Sequence, residues 1–118
     1  MPMIPTDYQE GALPVDGYGP GFFRAGGQVL QGAVLLDGTR MLPWGGLSDR
    51  DTLAALSGRV DVLFLGMGAE ISHPPADLLD ALDALGIMVE TMASATAART
   101  YNVTLSEGRR VACALLPL

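Results

Sequence analysis

Residues 60–90 read VDVLFLGMGAEISHPPADLLDALDALGIMVE, and this stretch decides the fold. Val60–Leu65 is a β-rich run broken by a single acid, and a loop from Gly66 to Pro74 follows it. In Pro75–Leu85 the residues Leu78, Leu79, Leu82 and Leu85 form one stripe of a helical period, with Asp77, Asp80 and Asp83 off the stripe and facing water. Gly86 closes that helix, and Ile87–Glu90 begins another strand. Strand, helix, strand at this spacing predicts a βαβ unit with parallel strands.

Downstream, Ser94 is the expected N-cap of a helix over Ala95–Leu105, with Ala98, Tyr101 and Leu105 on one face. Glu107-Gly108 ends it, and Arg110–Leu116 is a nearly unbroken apolar strand, as expected for one covered on both faces. Upstream, Gly26-Gly27 separates Gly21–Ala25 from Gln28–Leu36, and Asp37-Gly38 separates the latter from Thr39–Leu42. Both have the spacing of two-residue hairpins, so a three-strand antiparallel meander is expected. Ser48, with Asp51 completing an imitation capping box, is expected to start a short helix that Gly58 stops. Trp44, in the turn before that helix, reads as a lid on the core. The expected order is βββ-α-β-α-β-α-β. That is an α/β fold: a single three-layer domain, its mixed sheet carrying an N-terminal antiparallel meander and flanking helices. Residues 1–16 read as a loosely ordered arm and 17–118 as the domain.

Composition removes several functions. The chain of 118 residues carries 13 acids against 7 basic residues, a net charge of −6, and every basic residue is arginine. Such a balance is wrong for a nucleic-acid groove, which needs a basic stripe against phosphates, and for an anionic membrane surface. One cysteine rules out an internal disulfide framework, and one histidine argues against a histidine-rich metal site. The longest apolar run, Val111–Leu118, is far short of a membrane span, and Met1–Pro5 has no basic leader region. A cytoplasmic protein without cofactor or metal is the expectation.

Gly66-Met67-Gly68 after a strand, with Glu90 on the next parallel strand, imitates a dinucleotide fingerprint. Ile71 stands where the third glycine belongs, the loop runs on through two prolines, and Glu70 would face the pyrophosphate. The glycines read instead as a tight exit from the strand with close backbone packing. His73 reads as a loop residue, Cys113 as buried and inert, and Ser94 lacks a nucleophile elbow. Strand direction does place a crevice at the C-terminal strand ends, where open α/β sheets bind ligands. Gly66, Gly68, Glu90, Ser94, Tyr101, Asn102 and Arg109 are its expected lining, Arg109 reaching the rim if the last strand runs antiparallel to its neighbours.

Gly66-Met67-Gly68, Gly86–Glu90, Thr100-Tyr101-Asn102, Glu107-Gly108-Arg109 and the final Ala112–Pro117 run stand in a characteristic order, with Gly21-Phe22 and Trp44 ahead of them. Together they resemble a family of small proteins of unknown function that includes a mitochondrial assembly factor of respiratory complex I. The resemblance implies a three-layer domain around a mixed sheet and no established enzymatic activity. It further implies a role in assembly through protein contacts, with respiratory-complex subunits as partners. The alternative expectation is a small-molecule-binding protein or enzyme using the crevice near Glu90.

Overall fold

Residues 8–118 are described by the computed structural model; the expected arm therefore lies outside it over residues 1–7. Five short strands come first: β1 Gly17–Gly19, β2 Phe22–Ala25, β3 Gln28–Gln31, β4 Val34–Leu36 and β5 Met41–Pro43. Helix α1 Arg50–Ala54, strand β6 Val62–Gly66, helix α2 Ala76–Ala84, strand β7 Met88–Met92, helix α3 Ser94–Ser106 and strand β8 Val111–Leu115 follow. Two sheets result: an antiparallel β1-β2-β3, and a five-stranded β5-β4-β8-β6-β7.

The mixed α/β fold is the expected one, with two changes of detail. The meander comprises β1, β2 and β3, and the expected long strand Gln28–Leu36 is split between the sheets. Gly32 causes the split: its φ of 83° turns the chain, and its amide bonds to the Gly21 carbonyl. The last strand, β8, runs parallel to β6 and antiparallel to β4. The βαβ expectation holds, β6 and β7 pairing in parallel from Val62↔Met88 to Gly66↔Met92.

Alternation along the central strands builds two cores. Val62, Phe64, Val111, Cys113 and Leu115 face α3 and the small sheet, meeting Phe23, Ala97, Ala98 and Tyr101. Leu63, Leu65, Ala112 and Ala114 face the other way, meeting Leu53, Leu78, Leu82 and Trp44 beneath α1 and α2. Both faces of β6 and β8 are thus covered, which is why those runs read as continuously apolar. Trp44 is buried as expected, its indole donating to the Asp49 carbonyl at 3.2 Å.

Two helix caps differ from expectation. Asp49, not Ser48, caps α1: its carboxylate accepts from the Thr52 amide and the Thr52 hydroxyl. Ser94 is the first residue of α3, and Ala93 precedes it as a cap without a side-chain bond. The Ser94 hydroxyl has another task.

The stretch expected as a loosely ordered arm is tied down over its described part. The Leu13 amide bonds to the Gly38 carbonyl at 2.7 Å. Val15 is buried, with Tyr8, Ala12 and Leu13 packed on the same core.

Candidate functional site

Gly66 ends β6 against the first turn of α3. A Cβ there would stand 2.7 Å from the Ser94 Cα, so only glycine lets the helix start seat on the strand end. Beyond it, Gly68 turns the chain with φ 97°. Its amide donates to the Ser94 Oγ at 2.9 Å, while that hydroxyl donates to the Leu116 carbonyl at 2.7 Å. The Ser94 amide also bonds to the Gly68 carbonyl. One fully buried hydroxyl therefore joins the ends of β6 and β8 to the start of α3. The Gly68 amide is thereby bonded, and Ser94 fills the space above Gly66. As a nucleophile Ser94 has no base: its proton goes to a carbonyl.

The remaining four residues do not join this knot. Glu90 lies in the middle of β7, paired with Phe64, and is exposed. It misses the expected strand end because β7 continues to Met92. Arg109 is at the opposite edge of the sheet from Gly66, a consequence of β8 running parallel to β6. There it approaches Asp61, whose carboxyl is held below its ordinary value first by the bound Arg110 and, more weakly, by Arg109. Tyr101 is buried in the core. Its hydroxyl accepts from the Gly38 amide at 3.1 Å and donates to the Leu13 carbonyl at 2.8 Å. Burial, foremost, pushes the phenol well above its ordinary range, so it stays neutral. The Asn102 amide clasps Val15, accepting from its N–H at 2.8 Å and donating to its carbonyl at 2.9 Å. It mimics a strand partner for the segment entering β1.

A cavity of about 210 Å³ opens beside that clasp. Asp16 and Tyr18 line it from the small sheet's side, and Ala95, Ala98, Arg99 and Asn102 from α3. Of the seven expected crevice residues only Asn102 borders it. The spacing of Ala95, Ala98 and Asn102 along one helix face was visible in the sequence, but its facing wall depended on where residues 15–18 docked.

Asp37, a turn residue in the sequence, is the centre of a second polar cluster. Its side chain is 1% exposed and holds Arg40 at 2.7 Å and Arg59 at 3.3 Å. It also accepts from the amides of Thr39 and Arg40. Burial raises the pKa of this carboxyl, but those hydrogen bonds outweigh it and hold the group below its ordinary value. The turn bonds were legible in Asp-Gly-Thr-Arg; Arg59 was not, being 22 residues away in sequence.

Known proteins align over nearly this whole arrangement. An uncharacterized protein of Rhodobacter capsulatus is 56% identical over 108 residues, 92% of this chain and 87% of that one. NADH dehydrogenase [ubiquinone] 1 alpha subcomplex assembly factor 3 of Danio rerio is 31% identical over 107 residues. That match takes in 85% of this chain but 62% of the fish protein, so the chain spans under two thirds of that relative. Among solved structures, one described as an outer membrane protein from Bartonella henselae superposes with a TM-score of 0.81 at 30% identity, over 91% of this chain and 96% of that one. No helix among the described residues is long and apolar enough to cross a membrane. The family described as protein of unknown function (DUF498/DUF598) matches residues 15–116, and the chain belongs to it.

Proposed function

We propose that this chain is a non-catalytic protein-binding module that acts in the assembly of a respiratory NADH dehydrogenase. The supporting observation is its similarity along most of its length to the assembly factor of Danio rerio. The geometry agrees in kind: Ser94 and the Gly66–Gly68 loop spend their polar groups on holding three elements together, and the Asn102 and Tyr101 side chains spend theirs on the residues before β1. The partners are protein subunits of the enzyme, met in a cytoplasmic setting. Affinity purification of the tagged chain from its native host, followed by mass spectrometry, is expected to enrich NADH dehydrogenase subunits over an untagged control. Enrichment of none of them refutes the reading.

One observation favours a second reading, a small-molecule binder. The cavity between β1 and α3 presents Asp16 and Arg99, opposite charges with no ion pair between them, beside Val15, Ala95 and Ala98. A ligand held there stabilises the folded chain by mass action. A thermal-shift screen of metabolites with no hit sensitive to Arg99→Ala removes that reading.

A further inference from the structure

The five-stranded sheet has two edges among the described residues, and they differ. Strand β5 is short and ends in Pro43, a blunted edge. Strand β7 is five residues long, MVETM, with no proline and one charge. The Met88 amide donates to the Asp61 carbonyl, and the Met92 carbonyl accepts from the Met67 amide, so Met88, Glu90 and Met92 turn their backbone groups toward β6. Alternation leaves the N–H and C=O of Val89 and Thr91 aimed out of the sheet, and no backbone bond reaches them from another described element. Side chains alternate between the two faces of the sheet. Met88, Glu90 and Met92 stand on the α3 face, where Met88 is 60% exposed and Glu90 is exposed with no ion pair among the described residues. On the other face α2 packs on β7. Asp77 of α2 reaches Arg50 of α1, and Asp83, about a third of a turn round from Asp77, is exposed without an ion pair among the described residues. Apolar–acidic–apolar along one face of an open strand is a pattern for reading an incoming strand.

We propose that β7 is the docking edge of this protein, and that its occupant is an extended segment of a partner protein with the pattern apolar–x–Arg/Lys–x–apolar. The proposal rests on the protein-binding reading above and names its surface. Added beside β7, such a segment bonds through its backbone to Val89 and Thr91. Its alternate side chains meet Met88, Glu90 and Met92 in turn. Charge selects this occupant over a second copy: the chain carries a net charge of −6, and self-pairing of Val89 with Thr91 would set Glu90 against its own copy.

The test uses the full chain and a synthetic peptide, acetyl-Thr-Leu-Thr-Arg-Thr-Leu-Thr-amide, with a twin carrying Glu for Arg. Titration followed by NMR is expected to shift and protect the Val89 and Thr91 amides with the Arg peptide. The Glu peptide should bind about tenfold more weakly or not at all, and the Arg peptide's affinity should fall as salt rises. Thr91→Pro removes an outward N–H without touching the β6 ladder, so binding should fall at least about tenfold while the fold persists. Glu90→Arg covers the case in which that variant misfolds: it should exchange the preference to the Glu peptide. Equal binding of the two peptides, shifts elsewhere than β7, or a concentration-dependent dimer broken by Thr91→Pro without peptide binding overturns the proposal. Equal recovery of respiratory subunits by wild type and Thr91→Pro also overturns it, and leaves the assembly reading standing. Peptide binding as expected, with no respiratory subunit recovered, does the reverse.

Discussion

Ser94 shows how much one small side chain decides. Its buried hydroxyl satisfies the Gly68 amide and the Leu116 carbonyl at once. Ser94→Ala should leave both without partners and cost about 1–3 kcal/mol, read as a lowered urea midpoint; an unchanged midpoint would show that water replaces the hydroxyl. Gly66→Ala should be at least as costly, because the obstruction is the Ser94 backbone and not a movable side-chain tip. Asp37 couples stability to pH. Its folded carboxyl titrates below the ordinary 3.8, so the unfolded chain takes up that proton at higher pH. The stabilisation is therefore complete above the ordinary carboxylate range and is lost as pH falls through it toward the folded value. Asp37→Asn should flatten the acid side of a stability–pH profile, and an unaltered profile would exclude this linkage. Cys113 is fully buried, and burial pushes its thiol up beyond the reach of neutral pH. A thiol reagent should label it slowly in the native state and fast once denatured; rapid native labelling would take β8 out of the interior.

At the scale of elements, α3 is the hub. Its inner face of Ala97, Ala98, Tyr101 and Leu105 covers the sheet, and the small residues let it lie close. On its flank, Asn102 and Tyr101 hold the segment that leads into β1. Asn102→Ala should free that segment with little effect on the sheet. Hydrogen exchange is expected to speed up at Val15 while β6 and β8 amides stay protected, and uniform acceleration would mean that the segment is not a separate unit. The helical periods of α2 and α3 and the continuous apolar runs of β6 and β8 were readable because each follows from a local repeat. The caps were less so. Ser48 and Asp49 are both good cap residues, and the choice fell to Asp49 because its carboxylate also accepts from the Gly45 amide, holding the turn under Trp44.

For the molecule as a whole, the acidic surface is unevenly neutralised: Arg40, Arg50, Arg59 and Arg110 each hold an aspartate, whereas Glu90 and Asp83 hold no arginine. The α/β class, the parallel β6–β7 unit and the buried cysteine and tryptophan were legible in the chain itself. Each rests on a short-range rule: a period or a turn residue. The expected crevice was not legible, because it joined residues through an assumption about the last strand. Gly66, Gly68 and Ser94 did come together, since the parallel unit puts the end of β6 beside the start of α3. Arg109 went to the far edge once β8 inserted between β4 and β6, parallel to β6. Strand direction in the middle of a sheet depends on contacts between segments distant in sequence, and no local pattern encodes it. Periodicity and turn chemistry thus determined the elements, and long-range hydrogen bonding between strands decided which of their side chains meet.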